Sequence, residues 1–224
     1  MKTKIFTFAI FLYGLQFCHA QGFVNLGFES ANLFGYGSGT GPAVVPTNNA
    51  IPGWTAYLGG FPQSAVLYDG VTLGGAMISL QDTNAVFVGS AVQGNYSVVL
   101  LASSAGPPTT AAIGQTGTIP NNAQSLTFWG NVGGMQVTFN GQPIDYLVTG
   151  STANYVIYSA DISAYAGQTG QLLFTALAGN SYASGGLIDN IQFSTTPVPE
   201  PSTLALAAFG GLLLGSRRWK RFSN

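Results

Sequence analysis

Between residues 21 and 196 the sequence contains no lysine, arginine, histidine or cysteine. Each absence removes a class of chemistry. Without cationic side chains the segment cannot neutralise phosphates, which excludes nucleic-acid binding. Without His, Cys or Lys it cannot build Ser-His-Asp or Cys-His nucleophiles or Schiff bases. Zinc sites made of His and Cys are excluded as well, and no internal disulfide can form. The charge that remains is acidic: Glu29, Asp69, Asp82, Asp145, Asp161 and Asp189. Packing and hydrogen bonding must therefore supply the stability of this segment.

The six basic residues stand at the two ends of the chain, Lys2 and Lys4 in front and Arg217, Arg218, Lys220 and Arg221 behind. The first end, "MKTKIFTFAIFLYGLQFCHAQG", has a basic start, an apolar stretch over residues 5–17 and a small residue, Ala20, at a cut point. That is the build of a secretory signal peptide occupying residues 1–20, with Gln21 as the mature first residue. It also removes the only His and the only Cys, His19 and Cys18, from the mature protein.

The interior reads as all-β. "QSLTFWGNV" and "GQLLFTALAG" carry the β-branched and aromatic enrichment of strands, and "SVVLLAS" is a continuous apolar run suited to a strand covered on both faces. Asn140-Gly141 in "MQVTFNGQPIDYLV" is a strong hairpin signal, because both turn positions favour positive φ. Asp69-Gly70 in "AVLYDGVTL" predicts a second hairpin on the same logic. The Gly-, Pro- and Asn-rich stretch over residues 31–52 and "ASSAGPPTT" read as loops. No sustained helical periodicity occurs in residues 21–196. The expected fold class is all-β, a two-sheet antiparallel sandwich of the jelly-roll kind, flanked by the signal helix and a C-terminal transmembrane helix.

The last residues, 197–224, are a different material. A proline-rich spacer precedes an uncharged apolar run, and a basic cluster follows it. The predicted helix over residues 202–216 is short for a bilayer, at about 1.5 Å per residue against a hydrocarbon core of about 30 Å. Snorkelling Arg217 and Arg218 and an interfacial Trp219 make up the difference, and the basic cluster orients the domain outside the cell. The ordered elements Pro199-Glu200-Pro201, apolar span and Arg217-Arg218 resemble the C-terminal sorting signal of the PEP-CTERM family of exported bacterial proteins. That resemblance implies the secretion machinery and an exosortase as partners. It further implies membrane residence at least until the tail is processed, and a final place at the cell surface or in the extracellular matrix.

A second resemblance covers the domain. "NLGFES", "IPGWTAY", "IGQTGTIPNNAQSLTFWGNV", "VTFNGQPI", "YSADISAYAGQTGQLLFTA" and "GGLIDNIQFS" are similar, in order, to the landmarks of galactose-binding-like jelly rolls, many carbohydrate-binding modules among them. The resemblance implies a structural calcium held by Glu29 and Asp189, with carbonyls near Asn25 and Gly27 as helpers, an oxygen-only set suited to that ion. The residues by themselves also permit Glu29 to cap a turn and Asp189 to accept from backbone amides. For an exopolysaccharide or other glycan the flat candidates are Trp54, Tyr57, Phe61, Tyr68, Trp129 and Tyr182, with Asn131 or Gln115 as polar partners. Strand alternation sets Leu126 and Phe128 on one face and Thr127 and Trp129 on the other; if the first pair faces the core, Trp129 lies on the outer face or in the second layer. A hydrolase restricted to carboxylates would have to use Asp69 and Asp82. Both look like turn residues, and the expectation is a non-catalytic protein with a binding or structural role.

Overall fold

The computed structural model describes residues 22–36, 43–72, 74–85, 90–179 and 183–198. The signal segment, Tyr182, the sorting residues Pro199, Glu200, Pro201, Arg217 and Arg218, and the apolar run 202–216 lie outside them. Among the described residues no helix is long and apolar enough to cross a membrane.

The described residues form two packed sheets. In spatial order the larger has β1 (Ala43–Pro46), β4 (Ala65–Tyr68), β5 (Met77–Asp82), β6 (Tyr96–Ser103), β14 (Ala183–Ser194), β8 (Ser125–Gly133), β12 (Val156–Asp161) and β11 (Tyr146–Ser151). The smaller has β10 (Gln142–Ile144), β9 (Met135–Phe139), β13 (Thr169–Ala176), β7 (Ala111–Thr118), β2 (Thr55–Leu58) and β3 (Phe61–Gln63). From β6 onward the chain repeatedly crosses from one sheet to the other, as a jelly roll does. All pairings are antiparallel except β4 with β5.

Alternation along the strands fills the space between the sheets. Leu126 and Phe128 of β8, Leu172 and Phe174 of β13, and Val98 and Leu100 of β6 all point inward and are essentially inaccessible. Phe128 is the hub. Its ring meets Phe174 edge-on at 5.3 Å and Tyr158 face-on at 5.2 Å, while Trp54 bridges Phe174 to Phe28. Each such aromatic pair adds about 0.5–1.5 kcal/mol to the burial of its surfaces. The carbonyl-lined approach of β8 to β14 requires glycine: Gly130 has φ +154°, and a Cβ there would overlap the Leu187 carbonyl.

The expected hairpin at Asn140-Gly141 is present between β9 and β10, with φ of 50° and 77°. The expected hairpin at Asp69-Gly70 is not. Asp69 does take a positive φ of 47°, but β5 runs parallel to β4. The intervening chain must therefore travel back along the sheet before β5 can start. Inside the stretch expected to be loop, four residues form β1 and the next four a single turn of helix, α1 (Thr47–Ala50). The Thr47 hydroxyl ties that turn to the Gln63 carbonyl at 2.7 Å.

A smaller apolar cluster lies on the outer face of the large sheet. Met77, Val99 and Leu187 are buried there, with Leu67, Val71, Val92 and Leu101 packed around them. β6 is thus covered on both faces, as its sequence predicts.

Candidate functional site

Glu29 and Asp189 converge on one short segment, residues 93–97. Glu29 Oε1 accepts from Asn95 N at 2.8 Å and Tyr96 N at 3.1 Å, and Oε2 from Asn95 Nδ2 at 2.9 Å. Asp189 Oδ2 accepts from Gln93 N at 2.8 Å and Ser97 Oγ at 2.9 Å, and Oδ1 from Asn190 N at 2.6 Å. Register explains the meeting: β5, β6 and β14 set Gln81, Ser97 and Asp189 in one row on the outer face of the large sheet. All three are buried. Burial pushes the Asp189 carboxyl up to about 6, and the hydrogen bonds from Gln93, Ser97 and Asn190 only partly oppose it. The charge of Glu29 nearby adds a small push in the same direction.

This donor set does not fit a calcium ion. Every carboxylate oxygen already accepts an N–H or O–H bond, and among the described residues no group of three or more His, Cys, Asp or Glu side chains gathers as calcium coordination favours. Asn25 is committed too. Its carbonyl accepts from Trp54 Nε1 at 3.0 Å and from Phe28 N, its side-chain oxygen accepts from Ser30 N, and its amide nitrogen donates to Pro52. Gly27 faces the Gln93 side chain. The carboxylates work as a clasp on residues 93–97.

Asp69 and Asp82 meet at the turns after β4 and β5. Asp69 Oδ1 accepts from Asp82 N at 2.9 Å, and Asp82 accepts from the Tyr68 hydroxyl at 2.8 Å and from Asn84 N at 2.6 Å. Burial raises Asp69 above the ordinary carboxylate range, with the charge of Asp82 adding to it. Burial also acts to raise Asp82, but the hydrogen bonds from Asn84 and Tyr68 outweigh it and the group ends below its usual value. Burial and the Asp82 contact raise the Tyr68 phenol. The ring of Tyr68 is partly packed against the main core.

The flat side chains singled out in the sequence are dispersed. Trp54 is a core residue, 2% exposed, with its indole N–H spent on Asn25, so it offers no platform. Gln115 is buried and clamps the N-terminal segment, exchanging hydrogen bonds with Val24 at 2.6 and 3.0 Å. Phe61 is exposed on the edge strand β3, opposite Leu58 and on the other face from Tyr57.

Tyr57 and Trp129 do face outward, on opposite sides of the molecule. Tyr57 borders a groove of ≈ 300 Å³ on the outer face of the small sheet, floored by Ala112 and walled by Gln171, Leu173 and Thr175 of β13. Gln171 Nε2 reaches the Tyr57 hydroxyl at 3.4 Å. The groove exists because β7 places Ala112 and Gly114 between two strands that carry larger side chains. Gln171 and Thr175 carry no sequence signal beyond strand alternation. On the outer face of the large sheet Trp129 stacks on Tyr155, with ring centroids 4.8 Å apart and planes 12° from parallel. Tyr155 and Asn131 line a second groove there.

Residues 197–221 match the PEP-CTERM protein-sorting motif. The chain is thus a jelly-roll β-sandwich protein that carries an exosortase sorting motif, and the motif implies export with membrane anchoring before processing. No curated protein matches the sequence. Among solved structures, the chain is similar to the enzymatically active domain of bacteriophage CBA120 tailspike protein 4, at 15% identity and a TM-score of 0.38. That match covers 63% of this chain and only 19% of the tailspike chain. It is also similar to the family 11 carbohydrate-binding module from Clostridium thermocellum, in complex with a β-1,3-1,4-mixed-linked tetrasaccharide. There the identity is 12%, the TM-score 0.35, and the match covers 72% of this chain and all of the module.

Proposed function

We propose that this is a non-catalytic protein of the cell surface or extracellular matrix, delivered through its sorting motif, whose sandwich binds neutral carbohydrate. The observation that carries the binding reading is the Tyr57 groove. It offers one aromatic face, one carboxamide and threonine hydroxyls over a smooth Ala/Gly floor, with no charged side chain in its lining. Sugars present C–H faces that pack on aromatic rings and hydroxyls that pair with amides and hydroxyls, and such a groove meets both needs. Its modest volume suits one or two residues of a longer chain. A domain without Lys, Arg or His has no counterion for uronate or sulfate groups, and the groove has no carboxylate for an amino sugar, so the ligand is uncharged.

The carboxylate geometry supports the non-catalytic reading. Asp69 accepts the backbone N–H of Asp82, and Asp82 accepts from Asn84 N and the Tyr68 hydroxyl, so both carboxylates are spent on holding turns.

Two measurements test the proposal. Intact mass and terminal peptides of the protein from the native envelope and culture medium should give a species starting at Gln21 and ending near Pro199–Pro201; a full tail persisting in membranes contradicts tail removal. A glycan array probed with the recovered protein should give hits among neutral polysaccharides, and silence across the array contradicts the binding reading.

A further inference from the structure

We infer that the domain carries a second, independent glycan groove on the outer face of the large sheet and so bridges two neutral polysaccharide chains. The inference rests on the carbohydrate reading of the Tyr57 groove and extends it to the opposite side of the sandwich.

The second groove, ≈ 450 Å³, is lined by residues including Ser90, Asn131, Asn154, Tyr155, Gly186 and Leu187. Its volume falls within the range of about 300–1,000 Å³ typical of small-ligand sites. Its chemistry parallels the first groove: one tyrosine ring, carboxamides, a hydroxyl, and no charged side chain. The ring is held in place by its stack on Trp129, and Asn131 Nδ2 donates to the Asn154 carbonyl at 3.1 Å, which fixes the loop that carries the tyrosine. Gly186 also lines it, at a close approach of β14 to β8 where a Cβ would overlap the Asn131 carbonyl. A rigid aromatic and a preset amide lose little freedom on binding, which favours a ligand made of repeated weak contacts.

The opposite wall is residues 90–92, and it is anchored from beneath. Val92 N donates to Ser97 Oγ at 2.8 Å and Gln93 N to Asp189 at 2.8 Å. The buried Asp189 and Ser97 half of the clasp thus has a use: it sets the wall of this groove.

The two grooves lie on the outer faces of two sheets packed about 10 Å apart, and they open in opposite directions. No single polysaccharide strand can lie in both without wrapping an edge of the sandwich. Simultaneous occupancy therefore joins two strands, and many weak contacts on repeating chains add up to firm attachment. This gives an exported domain a physical role in a polysaccharide layer, as a crosslink.

The test uses the full chain, purified in a non-glycosidic detergent and mixed with soluble β-glucan, galactomannan or dextran. Retardation in glycan-containing native gels reports binding, and light scattering across protein-to-glycan ratios reports crosslinking. The expected result with at least one of these glycans is retardation together with a bell-shaped scattering curve. Tyr57→Ala, Asn131→Ala and the groove-filling Ala153→Trp should each keep retardation while losing crosslinking; Tyr57→Ala combined with Asn131→Ala should lose both. Retardation without crosslinking, or crosslinking that survives Asn131→Ala and Ala153→Trp, overturns the second groove and leaves the Tyr57 reading standing. Retardation lost in Asn131→Ala but unchanged in Tyr57→Ala overturns bivalence and moves the site. Absence of retardation with all three glycans overturns both.

Discussion

The Asp189 carboxylate accepts the Ser97 hydroxyl at 2.9 Å on a face of the sheet where neither residue is exposed to solvent. Burial makes a charge there costly, and its carboxyl is pushed up to about 6 from 3.8. The folded protein therefore binds this proton more tightly than the unfolded chain does. Between those two values stability falls as pH rises, and Asp189 contributes most below about pH 4. A rise of that size corresponds to about 3 kcal/mol between the ends of the window. Asp69, also raised, acts in the same sense, while Asp82 and Asp161, both lowered, contribute stability that is lost in stronger acid. Thermal unfolding followed from pH 7.5 down to pH 4.5 should show a rising midpoint. The rise should be smaller in Asp189→Asn, and an equal rise in that variant contradicts the assignment.

Calcium should leave the protein's stability unchanged. A specific ion bound only by the folded state would stabilise it by about 2.7 kcal/mol at a hundred times its dissociation constant. With every oxygen of Glu29 and Asp189 facing a donor, the expected change in melting temperature between chelator and millimolar calcium is within error. A rise that disappears in Glu29→Gln would restore the cation site.

Gly130→Ala should be among the most damaging single changes in the domain. The added Cβ meets the Leu187 carbonyl of the neighbouring strand, and the residue's φ of +154° disfavours any side chain. Backbone has to move in the two most extensively paired strands, β8 and β14, which costs several kcal/mol. Gly141→Ala is the control: its φ is positive, but a Cβ there touches nothing, so it should cost about 1 kcal/mol. Urea unfolding of both variants checks the order, and equal midpoints contradict it.

Gln81 illustrates a different cost. Its Nε2 donates to Ser79 Oγ at 2.6 Å, yet its Oε1, buried, accepts from no group among the described residues. Removing an orphaned acceptor offsets the loss of that bond and of the longer one from Nε2 to the Leu80 carbonyl at 3.3 Å, so Gln81→Met should change stability by less than about 1 kcal/mol. Ser97→Ala should cost more, because it removes a donor from the buried Asp189 and an acceptor from Val92. Urea midpoints of the two variants measure the difference, and a Gln81→Met loss as large as that of Ser97→Ala contradicts it.

The parts of the fold that depend on local rules were legible in the sequence. Alternation separated Leu126 and Phe128 from Trp129, leaving packing to put the first pair in the core, and Asn140-Gly141 marked its hairpin. What depends on register was not. Nothing local unites Gln81, Ser97 and Asp189, which lie more than ninety positions apart in the extreme and meet because three strands align. Trp54 is large, aromatic and next to a turn, features shared by platforms and core residues alike; the Asn25 carbonyl under its N–H decides between them. Asp69-Gly70 specified a turn correctly, but a turn does not specify the partner of the following strand. Gln171 became a groove residue only through the bare Ala112 and Gly114 beside it, a property of neighbours paired across the sheet.

Tyr57→Ala gives the sharpest reading of the first groove. The ring stands on β2 against the small residues of β7, on the face opposite buried Ala56 and Ile113, and its hydroxyl accepts from Gln171, so its removal leaves the core beneath in place. Stability should change by less than about 1 kcal/mol, as for an outward-facing strand position. Binding depends on the ring as a surface, and losing about 1.4 kcal/mol of contact weakens affinity tenfold. Tyr57→Phe keeps the surface and drops only a 3.4 Å hydrogen bond, so it should bind almost as wild type. Measured in the Asn131→Ala background, where only the first groove binds, the order Tyr57, then Phe, then Ala in gel retardation identifies stacking as the source of affinity. If Phe and Ala are equally weak, the hydroxyl and its pairing with Gln171 carry the recognition instead.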